Sequence, residues 1–205
     1  MKVTMHGAHL HRSLEILARG VGAALGVAAL FLFSPSAEAA TKTWDSGGAD
    51  DNCSTAANWD LDALPATTDD VVFDSTADAV SWDSSANCPA TVASMALNTG
   101  FTGTVTLGKA LTDSGAFTLQ AGTFDVSASN YGLTVQGDFT NSGGTFTERS
   151  GTVTFSGGTA KAVDVNNGAE TFSGLTINKG NAIDLTVAAS DTLTVTGTLT
   201  LTNGD

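Results

Sequence analysis

No histidine occurs after His11, no tryptophan after Trp82, no proline after Pro89, and Arg149 is the only arginine beyond residue 39. Each absence removes a chemistry. Without histidine, the body of the chain cannot assemble a histidine-activated nucleophile. Cations are scarce as well: beyond residue 39 only Lys42, Lys109, Arg149, Lys161 and Lys179 are basic, against 19 carboxylates (21 in all, less Glu15 and Glu38). So acidic a surface repels phosphate backbones and anionic lipid, which argues against nucleic acid and membrane surfaces as partners. After residue 39 no apolar run is long enough to span a bilayer.

The one long apolar run, VGAALGVAALFLF (21–33), lies before that point. Lys2, Arg12 and Arg19 precede it, and SPSAEAA follows, with Ala37 and Ala39 at the spacing a signal peptidase reads. It falls short of the roughly 20 residues of a spanning helix. The pattern predicts a signal peptide over 1–39, cleavage after Ala39, and export to the cell surface or the extracellular space. An uncleaved anchor is the alternative. Cleavage would discard His6, His9 and His11. The two cysteines, Cys53 and Cys88, would then enter an oxidising compartment, where a disulfide is the natural state.

Composition divides the remainder. Residues 40–95 hold Trp44, Trp59, Trp82, Pro65, Pro89 and both cysteines; residues 96–205 are short alternating runs separated by Gly, Asn and Ser. Strict alternation predicts strands, and nothing after residue 40 keeps a helical period. Repetition is degenerate: YGLTVQGDFTNSGG (131–144) aligns with DTLTVTGTLTLTNG (191–204), which sets Leu133 against Leu193 and Gly137 against Gly197. The offset of 60 predicts three coils of about 20 residues. Leu, Val, Ile and Phe in single file, with no long Greek-key connection, favour an all-β parallel β-helix over a sandwich. LTVTGTLTLTNGD ends at full repeat strength, which predicts a truncated solenoid or end-to-end assembly with another copy.

The stretch TWDSGGADDNCSTAANWDLDALPATTDDVVFD (43–74), with VASMALNTGFTGTVTLGKALT (92–112) and FSGLTINKG (172–180), resembles secreted bacterial repeat proteins of the autotransporter-passenger and adhesin type. The matching residues are Trp44, Asn58, Trp59, Pro65, Asp70, Val71, Val72 and Phe73. The resemblance implies a right-handed parallel β-helix whose tryptophan-rich start covers the first coil. Cys53 departs from it, standing where an aromatic is expected, and suggests that a disulfide replaces part of the cap packing.

Carboxylates are the only abundant reactive groups. Asp50, Asp51, Asp60, Asp62, Asp69 and Asp70 cluster in the first half, where a glycosidase would need a pair about 5–10 Å apart. Aspartate-rich turns are also ordinary solvated loops, so no catalytic or cofactor-binding residue is assigned and the chain is not expected to be an enzyme. DSGGADDN (45–52) has the oxygens but not the spacing of a calcium loop. Weak calcium binding is the most it suggests, and no metal ligands are assigned. Trp44, Trp59 and Trp82 are expected to pack as a cap, and Tyr131 to pack at a corner. The expectation is a non-catalytic, surface or extracellular adhesin-like scaffold whose partners are surface glycans or its own copies. The alternative is a carbohydrate-binding or carbohydrate-active β-helix using the Trp- and Asp-rich first half.

Overall fold

The computed structural model describes residues 39–203 except 75–77, 167 and 181–183. The expected leader and its histidines, Ala39 apart, lie outside the described residues.

Alternation decides the local structure. In TVTFS (152–156) Val153 and Phe155 are buried and Thr152, Thr154 and Ser156 are not, as the two-residue pleat requires. Threonine suits the outer face because its β-branch favours extended backbone while its hydroxyl meets water.

The strands wind into a parallel β-solenoid. After β1 (Thr41–Thr43) come six coils of three strands each. The first is β2 (Asp70–Phe73), β3 (Ala79–Trp82) and β4 (Thr91–Val92), and the second is β5 (Ser94–Leu97), β6 (Thr104–Leu107) and β7 (Leu111–Asp113). The third is β8 (Phe117–Leu119), β9 (Thr123–Asp125) and β10 (Leu133–Val135), and the fourth is β11 (Phe139–Asn141), β12 (Thr145–Thr147) and β13 (Thr152–Ser156). The fifth is β14 (Lys161–Asp164), β15 (Ala169–Phe172) and β16 (Gly174–Asn178), and the sixth is β17 (Leu185–Val187), β18 (Thr192–Val195) and β19 (Leu199–Asn203).

Each strand pairs in parallel with its counterpart one coil away. One wall runs β1-β2-β5-β8-β11-β14-β17 and another β4-β7-β10-β13-β16-β19. The third wall is interrupted: β3-β6-β9-β12 form one sheet and β15-β18 another.

Stacking places like on like. Val71, Met95, Phe117, Phe139 and Val163 are successive partners, so the coils measure 24, 22, 22 and 24 residues by difference of their numbers. The ladders overturn the alignment at an offset of 60. Leu133 continues through Val153 and Leu175 to Leu199, an offset of 66, whereas Leu193 pairs with Glu170 on a different wall. The glycines follow suit. Gly137 packs so tightly on Gly115 that a Cβ would strike its backbone, while Gly197 lies against Ser173.

The first coil is covered by the segment between β1 and β2, which holds two single-turn 3-10 helices, Ala56–Asn58 and Asp60–Asp62. Trp44, Trp59 and Trp82 are at most 1% exposed. Trp44 meets Trp59 edge to face at 5.1 Å between centroids, and Trp59 meets Trp82 likewise at 6.3 Å. Two indole N–H groups are satisfied: Trp59 donates to the Cys53 carbonyl at 2.8 Å and Trp82 to that of Pro89 at 2.9 Å. Cys53 and Cys88 form a disulfide, with Cα atoms 5.3 Å apart.

The disulfide ties the covering segment to the first coil across 35 residues of sequence. By limiting the unfolded chain it contributes up to ~4 kcal/mol. The Cys53→Ser/Cys88→Ser double variant should therefore unfold at lower denaturant than the parent, and reducing agent should lower the parent's midpoint alone. A parent indifferent to reduction would contradict this.

Candidate functional site

Most chemistry-bearing residues of the first half are spent on structure, while Asp51 and Asp62 stand exposed. Asp69 is buried and accepts from the Ala40 N–H at 3.1 Å and the Ala66 N–H at 2.9 Å. Asp60 accepts from Thr43 N–H, Asp45 from Gly47 N–H, and Asp50 from Asn52 N–H. Asp70 accepts from the Ser94 hydroxyl at 2.6 Å. These carboxylates staple turns and coils instead of converging on a groove. With their rings buried, the tryptophans offer no face for a sugar to stack on, so they form the cap and not a platform.

One metal-like grouping arises there. Cys53, Asp83 and Cys88 bring their ligand atoms within 4.8 Å of one another. The sulfurs, however, are bonded to each other, and Asp83 accepts from the Ser54 N–H at 2.9 Å and the Ser85 N–H at 2.7 Å. A disulfide sulfur is not a thiolate, so the oxidised cap has no soft ligand to offer.

Further along, besides Asp125 paired with Arg149, three ionisable groups are buried where the alternating pattern calls for apolar side chains or solvent. Asp113 shares the inner face of β7 with Leu111 and is fully buried. It accepts from the Met95 N–H at 3.0 Å and the Gly115 N–H at 2.9 Å. Burial pushes its carboxyl up to about 7, with the two N–H groups opposing and the Asp70 charge adding. Lys179 is 1% exposed; it donates to the Ser156 carbonyl at 2.6 Å, and burial pushes its ammonium down.

Glu170 is the third, and it stands where the third wall opens. It is buried on β15 alongside Phe172. Its carboxylate accepts from Asn141 Nδ2 at 2.6 Å and from the Thr171 N–H at 3.2 Å. Burial pushes its carboxyl up, those two donors pull against that, and the Glu148 charge adds to the rise. Asn141 is itself out of pattern: it continues the column Phe73, Leu97, Leu119.

The corner that carries the chain from the first wall to the third holds six residues at 98–103, three at 120–122 and 142–144, and four at 165–168 and 188–191. The fourth and fifth coils remain paired through β11-β14 and β13-β16, but β12 and β15 share no ladder. Phe146 and Phe172 still touch across the gap at 5.9 Å. On the outside a cleft of about 230 Å³ remains, lined by Asn141, Ser142, Gly143, Gly144, Val165, Asn166, Gly168 and Ala169.

The sequence reads Gly143 and Gly144 only as a turn, and it does not single out Asn141, Glu170 or Asp113. The signal was present in LTD (111–113), FTN (139–141) and ETF (170–172), where alternation puts a polar residue on the face of its apolar neighbour. Compared with known protein families, curated proteins and solved structures, the chain matches none.

Proposed function

We propose that the chain is an exported, non-catalytic β-solenoid that works as a surface or extracellular scaffold of the adhesin kind, like the autotransporter-passenger proteins its sequence resembles. The observation that carries the reading is how the first half is used: three tryptophan rings at most 1% exposed, beside aspartates that accept backbone N–H groups. Residues committed to holding a coil closed are the furniture of a support. Among the described residues no helix is long and apolar enough to cross a membrane. Surface glycans or further copies of the chain are the partners such a scaffold would meet.

Cells producing the full chain should be fractionated and the mature N-terminus sequenced. Ala40 as the first residue of an exported product is expected; a retained product starting at Met1 would remove the export half of the proposal. Beads coated with the mature protein should be held by cell surfaces more firmly than uncoated beads, and equal retention would remove the adhesive half.

A further inference from the structure

Two inward positions turn polar together where, among the described residues, the third wall opens. Asn141 follows three apolar residues in its column, and Glu170 is paired across its ladder with Leu193. Placing a half-buried amide and a buried carboxyl at inward positions of neighbouring walls is costly unless they bond to each other, as these do at 2.6 Å. A local rule broken beside a cleft marks a place kept for use. We infer that the cleft between the fourth and fifth coils binds a neutral polyhydroxylated ligand, a single sugar residue of a glycan.

The ligand class follows from which groups are spent and which are free. Asn141 Oδ1 already accepts from the Gly143 and Gly144 N–H groups, at 3.3 and 3.1 Å. Glu170 has each oxygen engaged. A hard cation wanting about 6–8 oxygens would find too few. Anions are repelled by Glu170 and by a chain of net charge -13. An apolar ligand would meet two amides, a hydroxyl and glycine backbone, with only Val165 and Ala169 to pack against.

What stays available suits hydroxyl groups. Among the described residues nothing pairs with the Ser142 hydroxyl or the Asn166 side-chain amide, both exposed at the rim. The Asn141 amide has a second hydrogen beyond the one given to Glu170. Donors and acceptors without formal charge, in a space of about 230 Å³, match one sugar ring. Glu170 acts as a positioning residue: by fixing Asn141 it holds the 142–144 corner in place.

The inference stands apart from export and adhesion, since a retained or non-adhesive chain would have the same cleft. ¹⁵N-labelled protein should be titrated separately with glucose, galactose, mannose, N-acetylglucosamine and calcium chloride. At least one sugar should move the amides of Ser142, Gly143, Gly144, Gly168 and Ala169 saturably. Asn166→Ala with Ser142→Ala, both exposed and outside the core, should weaken that sugar roughly tenfold by removing its hydrogen bonds. Glu170→Gln, which keeps an acceptor for Asn141, should bind like the parent. Amides unmoved by every sugar, shifts indifferent to the double substitution, or movement by calcium alone would each overturn the assignment.

Discussion

Alanine in place of Phe139 should lower the free energy of unfolding by about 3–5 kcal/mol, read as a shift of the denaturant midpoint. Phe139 is fully buried. It stacks on Phe117 of the preceding coil with centroids 5.4 Å apart and rings 11° from parallel. It also meets Phe146, Phe155 and Phe172 at 5.8 to 5.9 Å, so it touches all three walls. Removing it deletes apolar area and leaves a void that neighbours fixed by their own ladders cannot fill. Phe101 is equally buried but, among the described residues, has Phe73 as its one ring partner, at 5.4 Å. Phe101→Ala should therefore cost less, and equal losses would refute the idea that Phe139 is a hub.

Acid should strengthen the fold through Asp113. Its carboxyl sits at about 7 in the folded chain against an ordinary 3.8. Between those values the folded chain holds a proton that the unfolded chain has released, so stability falls as pH rises from about 4 to about 7 and is level above. The full difference is worth ~4 kcal/mol. Glu170, also raised, tilts the curve the same way, whereas Asp125, held low by the Arg149 guanidinium at 2.5 Å, contributes the opposite slope at lower pH. The test is the difference between parent and Asp113→Asn. Melting temperatures recorded from pH 4 to 8 should fall more steeply for the parent, and parallel curves would show that Asp113 does not titrate in that window.

Alternation made the walls legible but not their order. It identifies Val153 and Phe155 as inward-facing from four residues of sequence, and the structure agrees. It does not say which wall a strand belongs to, because all three are written in the same Thr-Leu-Val vocabulary. Leu193 could be laid against Leu133 for that reason, and only the ladders separate them. The cap was readable because it departs from that vocabulary, with three tryptophans and two cysteines found nowhere else beyond the leader. The cleft was hidden for the opposite reason. Asn141 and Glu170 are 29 residues apart, and each taken alone reads as a polar residue in a turn-rich chain. Their meeting depends on how the fourth and fifth coils stack, which neither residue shows alone.

The missing ladder between β12 and β15 also sets where the column yields under load. In a stack of repeats, strength is a sum over neighbouring contacts. The other joints between coils are sewn by three parallel ladders, while the fourth and fifth coils are sewn by two and by the touch of Phe146 on Phe172. Pulled lengthwise, such a rod tears first along this seam, shedding its last two turns as a unit and leaving the disulfide-locked base intact.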